Sequence, residues 1–196
     1  MSAVLTNLRN TVIAAVVLAI VVFAIVGLNR TSFDIAFWGW LFRYIHVAAG
    51  VMWIGLLWYF NFVQIPSMPK IPDEQKPAIG KVIAPAALFY FRWSAMVTLI
   101  TGLIVAHLQG YLADALMLGQ MTGQATVIGV GMWLAIIMWF NVWFVIWPNQ
   151  KKALGLVQVE PDVKAKAART AMLFSRINTL LSLAMLLCMT GQMHLA

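Results

Sequence analysis

His46 and His107 are the side chains of this sequence best suited to chemistry, because each imidazole falls inside a long apolar run. An ionisable group in hydrocarbon costs about 2.5–3.5 kcal/mol on insertion scales, so one retained there needs a metal or a strong hydrogen bond. At about 1.5 Å per residue, His46 lies roughly six residues inside the outer end of its run and His107 roughly three, a depth difference of about 5 Å. Two neutral imidazoles facing each other across a gap between helices offer the axial lone pairs that six-coordinate haem iron takes. The spacing therefore points to a haem b ligated by His46 and His107. Gly50, one turn below His46, and Gly102, five residues before His107, would admit a porphyrin face or a neighbouring helix. The competing reading is that His46 hydrogen-bonds within the bundle while His107 is an interfacial residue. Met185, Met189 and Met193 share a helical spacing and are either thioether ligands or core filler; His194 lies close to the last residue.

A second polar set gathers at the opposite ends of the apolar runs. Asn61 and Gln64 close the second run, Arg92 opens the third, Asn149, Gln150 and Lys152 follow the fourth, and Arg176 and Asn178 open the fifth. Fixed amide and guanidinium donors at one level are suited to an anion such as a propionate, to a quinone oxygen or to a polar heterocycle. Arg92, Asn61, Gln150, Lys152 and Arg176 accordingly join the histidines as candidate cofactor-binding residues. The alternative for each is snorkelling to lipid headgroups or capping of a helix end.

The elements that must position these groups follow from composition. The 196 residues are 63% hydrophobic and only 10% charged, and the mean hydropathy is +0.89. No single soluble core of that length hides so much apolar surface, so the solvent for most of it is lipid. A spanning helix needs about 20 mostly apolar residues. The sequence predicts an all-α integral membrane bundle of five transmembrane helices in a single membrane domain, with spans at about 11–28, 41–64, 88–108, 126–147 and 177–195. Pro66, Pro69 and Pro72 are expected to stop the second span and Pro148 the fourth. The first run exceeds the roughly 7–15 residues of a signal-peptide core and lacks a small-residue cleavage site, so it reads as a retained helix.

Charge sets the expected orientation. Lys70, Lys76 and Lys81 lie in one link, and Lys151, Lys152, Lys164, Lys166 and Arg169 in another; both belong in the cytoplasm. The N-terminus is then cytoplasmic and the C-terminus outside, in a bacterial inner membrane, with Arg30 and Arg43 fitting least well. The net charge of +7 is spread over these short links and forms no contiguous face, which argues against nucleic acid as a partner. The lone cysteine, Cys188, leaves no disulfide framework or thiolate site and reads as a packing residue. Nucleophile-elbow, zinc-protease, phosphate-loop and dinucleotide motifs are all missing, which argues against hydrolysis and Mg-dependent chemistry. Asp34, Asp73, Glu74, Asp114, Glu160 and Asp162 all fall in links, which argues against ion pumping.

The segment Arg43-Tyr44-Ile45-His46-Val47-Ala48-Ala49-Gly50-Val51-Met52-Trp53-Ile54-Gly55 resembles a signature of the membrane domain of bacterial membrane-type, cytochrome c-coupled urate oxidases. The continuation to Gln64, the Phe91-Arg92-Trp93 step and Trp147-Pro148-Asn149-Gln150-Lys151-Lys152 look like a short form of that domain lacking the cytochrome c module. A more distant similarity is to small haem-binding membrane proteins proposed to oxidise protoporphyrinogen, and it implies that His46 holds haem. The resemblance implies a membrane-embedded oxidoreductase or electron-transfer protein with a redox partner such as cytochrome c or a quinol. The rival expectation is a non-catalytic accessory subunit packing against a larger respiratory or photosynthetic complex.

Overall fold

A computed structural model describes residues 2–28 and 32–195, and side chains within 4–28 and 32–192. Arg30 and the side chains of Met193 and His194 lie outside the described residues. Five helices are long and apolar enough to cross a membrane: α1 (Leu8–Val26), α2 (Ile35–Lys70), α3 (Lys76–Leu108), α4 (Thr126–Ala153) and α5, which spans Pro161–Leu195. No strand occurs among the described residues. The chain is thus an all-α protein of multi-pass membrane type.

Contacts divide the chain into two compact units, residues 1–38 and 39–196. In the first, the Asn7 side chain caps α1 by accepting from the Arg9 and Asn10 amides. Asp34 caps the start of α2, accepting from Ala36 N at 3.0 Å and Phe37 N at 3.1 Å while Ser32 Oγ donates to it at 2.6 Å. That cap starts the α2 helix at Ile35, ahead of the apolar run from about residue 41, because satisfied amide and carboxylate groups fix the first turn.

The second unit is a bundle whose core is built from Trp53, Ile54 and Leu57 of α2, Phe91 of α3, Met138 of α4 and Met185 of α5. Gly131 lets α4 approach α5 closely: a Cβ there would lie 2.9 Å from Cβ of Cys188, so the cysteine is a packing residue on that seam. About one turn further along the pair, Gln192 ties the two helices, accepting from Ile128 N at 2.7 Å and donating to Gln124 O at 2.6 Å. Asp114 organises the link between α3 and α4 by accepting from the amides of Met121, Thr122 and Ala125 and from the Thr122 hydroxyl.

The second helix runs through Pro66 and Pro69 and stops at Lys70, two residues before Pro72, and the fourth runs through Pro148. Immediately before Pro66, Pro85 and Pro148, the backbone widens into π-helix over Tyr59–Gln64, Ile79–Ile83 and Asn141–Ile146. Ile65, Ala84 and Trp147 each donate to the carbonyl five residues back, at Phe60, Ile79 and Val142. Proline breaks an α-helix because it lacks an N–H and its ring meets the carbonyl four residues earlier; one extra residue in the turn relieves that clash. The helices therefore run on to Lys70 and Ala153. The helix that carries the third expected span begins earlier than that span, at Lys76. The helix that carries the fifth begins at Pro161, ahead of the apolar run from residue 177, with Pro161 and Asp162 in a first turn that suits both.

Candidate functional site

Between α2, α3, α4 and α5, within the second unit, lies a cavity of about 560 Å³. That volume is within the range of small-molecule and cofactor sites. Its walls are largely apolar, and the polar groups on them are few: Arg43, His46, Thr98, Tyr111 and Thr190. His46 is seated against α3, with Nδ1 2.8 Å from the Thr98 carbonyl oxygen. A carbonyl only accepts, so Nδ1 carries the proton and Nε2 holds a free lone pair. The seat exists because residue 102 is glycine: a Cβ at Gly102 would stand 2.8 Å from His46 Cε1 and 3.0 Å from Nδ1. Donation of the distal ring N–H to a backbone carbonyl is how metal-ligating histidines are usually oriented.

Arg43 lies one turn before His46 and is the cation on the cavity wall. It stands close enough to Tyr111, just past the end of α3, to act on its phenol: burial pushes the Tyr111 hydroxyl above its ordinary range and the Arg43 charge opposes this. On the facing helix α5, Met185 and Met189 line the cavity. His107 is exposed and is not on that wall. The structure therefore does not bring His46 and His107 onto one cavity: the turns of α3 that carry Thr98, Gly102 and Val105 face inward, and position 107 falls off that face. Among the described residues there is no cluster of three or more His, Cys, Asp or Glu side chains suited to a metal ion.

The polar set at the other end separates into three places. Asn61 Nδ2 donates to Ser175 Oγ at 2.8 Å and to Leu57 O at 2.9 Å. Gln64 and Gln150 line a smaller cavity of about 270 Å³ with Ser175. Arg92 lines neither cavity; its guanidinium lies among Trp93, Trp143 and Trp147, 5.9, 5.3 and 3.8 Å from their ring centroids. Lys152 is half-buried and Arg176 exposed, and both stand outside the two cavities.

The sequence reading missed a polar seam along α5. Asn141 Nδ2 donates to Asn178 Oδ1 at 2.8 Å, Asn178 Nδ2 donates to Met138 O at 2.9 Å, and Trp58 Nε1 donates to Ser182 Oγ at 3.0 Å. Ser175, Asn178 and Ser182 recur at spacings of three and four, the signature of one helix face, and that signal was present in the sequence.

Residues 107–195 match the family model described as urate oxidase N-terminal. Over that stretch the chain is similar to that family. Comparison with curated proteins and with solved structures gave no match. The matched stretch contains Tyr111, Met185 and Met189 of the cavity wall, the Asn141–Asn178 pair and the Trp147–Lys152 segment. The Arg43–Gly55 segment with His46, and the Phe91-Arg92-Trp93 step, precede it.

Proposed function

We propose that the protein is a membrane-embedded redox carrier of urate oxidase-like type that would hold haem b in the larger cavity through His46 Nε2. The observation that carries this reading is the Nδ1–H bond from His46 to Thr98 O, which orients the imidazole and leaves Nε2 basic and unprotonated beside an apolar cavity. The residues present suit the group. Gly50 and Gly102 keep side-chain bulk away from the wall beside His46, and Arg43 is a cation suited to a propionate carboxylate. With His107 off the wall, Met185 and Met189 of α5, which line the same cavity, are the further side chains that would be able to hold the group, through a thioether. Haem in such a site supplies a one-electron centre between a small reductant or quinol and a respiratory partner such as cytochrome c. The chain's own part is to fix the imidazole tautomer, exclude water with the α4 and α5 walls, and neutralise the anionic edge. Inner-membrane residence, with the lysine-rich links in the cytoplasm, belongs to the same reading.

The decisive experiment is an absorbance spectrum of protein purified from a haem-replete host, before and after dithionite. A Soret band with a sharp reduced α-band, both lost in His46→Ala, is the expected result. Wild-type protein free of haem would end the redox reading and leave the accessory-subunit one.

A further inference from the structure

We infer that Arg92 and Lys151 form a specific site for the phosphodiester of an anionic phospholipid, in the leaflet at the lysine-rich end of the bundle. The two cations come from different helices, α3 and α4, and converge on one indole. The Arg92 guanidinium carbon is 3.8 Å from the Trp147 ring centroid and Lys151 Nζ is 5.8 Å from it. Two cations against one ring leave positive charge there that an anion would balance. The protein does not supply that anion: the ion pairs among the described residues are Lys76–Asp73 and Lys166–Asp162.

Unused donors accompany the unbalanced charge. Arg92 Nε and Trp143 Nε1 are covered and have no hydrogen-bond partner among the described residues, so contact with an oxyanion falls to the outer Nη groups of Arg92. Stacking on indoles occupies the faces of a guanidinium and leaves its in-plane N–H groups for an oxyanion. Trp93 and Trp143 meet edge to face at 5.4 Å and give that corner a firm wall.

The surroundings select a lipid over a free phosphate. Phe89, half exposed, packs 6.5 Å from Trp93, which is itself exposed on the apolar flank of the cationic corner. An acyl chain can lie on those rings while its headgroup meets Arg92 and Lys151. Tryptophan at the headgroup level and basic pockets between helices are the physical elements of such recognition.

The test does not depend on haem. Protein is purified in detergent, incubated with equimolar phosphatidylglycerol and phosphatidylcholine of matched chains, and the bound lipid counted by native mass spectrometry. Wild type should retain phosphatidylglycerol preferentially. Arg92→Gln and Lys151→Gln should each lower that preference about fivefold, the value of one interfacial cation. Lys164→Gln, a charge change away from the corner, should leave it unchanged. Lys151→Gln keeps the test open should Arg92→Gln fail to fold, since Lys151 lies at the end of its helix. No preference in wild type, preference surviving Lys151→Gln, or equal loss in Lys164→Gln would overturn the site. Displacement of the lipid by millimolar inorganic phosphate alone would overturn the lipid as its ligand.

Discussion

Gly102 and His46 fit against each other so closely that a single methyl group at position 102 would stand 2.8 Å from the imidazole Cε1. Gly102→Ala should therefore displace the ring from Thr98. The backbone tolerates alanine in mid-helix, so the stability loss should be near the worth of one hydrogen bond, about 1 kcal/mol. Ligand retention should suffer far more. A thermal melt together with the haem spectrum separates the two effects, and an unchanged spectrum in Gly102→Ala would show that the ring seat is irrelevant to binding.

The two histidines should behave differently on replacement. His46→Ala should abolish the haem spectrum with the helices still inserted, whereas His107→Ala should leave it intact, since His107 is not on the cavity wall. Replacing Met185 and Met189 in turn by Leu, with the spin state read by electron paramagnetic resonance, tests the second axial position. A His107→Ala spectrum turning high-spin would restore the two-histidine arrangement.

Asn178 is fully buried and uses both ends of its amide, accepting from Asn141 and donating to Met138 O. Asn178→Leu leaves the Asn141 donor unpaired in the bundle interior. The expected cost is about 1–2 kcal/mol, at the upper end for interhelical bonds in lipid and within the range for an orphaned buried donor. Unfolding in mixed micelles measures it; a double variant Asn141→Leu/Asn178→Leu should recover part of the loss.

Asp114 gives the α3–α4 link a pH dependence. The Thr122 hydroxyl, and after it the amides of Met121, Thr122 and Ala125, hold its carboxyl below the ordinary aspartate range. A carboxylate whose folded value is depressed stabilises the fold fully above its unfolded value, near 3.9, and loses that contribution as pH falls through the lower folded value. Exchange protection of the Met121 and Thr122 amides should hold at pH 5 and fade as the pH falls below about 4. Asp114→Asn should weaken protection at every pH. Protection that persists unchanged into strong acid would show that the carboxylate does not order the link.

The topology is testable without any ligand. On the proposed orientation, with the lysine-rich links toward the cytoplasm, a cysteine introduced at Lys164, at the start of α5, should resist an impermeant thiol reagent added to intact cells. Efficient labelling from outside would invert the bundle.

Five apolar runs and their lengths were legible because hydrophobicity over 20 residues is a strong signal and lipid leaves the backbone little choice but helix. The ends were less legible. Asp34 as a cap and Pro161 as a first-turn residue are local signals that an apolar-run count passes over, and Pro66 and Pro148 were read as stops because proline usually is one. At the site, His46 could be found from its cost in lipid alone. Its pairing with His107 could not be judged, because depth along a helix carries no information about which way a side chain points. Arg43 looked like an exception to the charge rule; its place on the cavity wall emerges only when α2 is set against its neighbours.

The π turn at Tyr59–Gln64 has a consequence for how this chain can change length. An α-helix turns about 100° per residue, so losing one residue from the α-helical part of α2 would swing every later side chain off its partner. A π turn already stores one surplus residue without rotating the helix beyond it. Removing one residue within Tyr59–Gln64, together with Pro66→Ala, should tighten that turn to α and leave the lower part of the helix facing as before. The same holds at Ile79–Ile83 and Asn141–Ile146 with their prolines. At these three places the chain can lose a residue and keep one bundle.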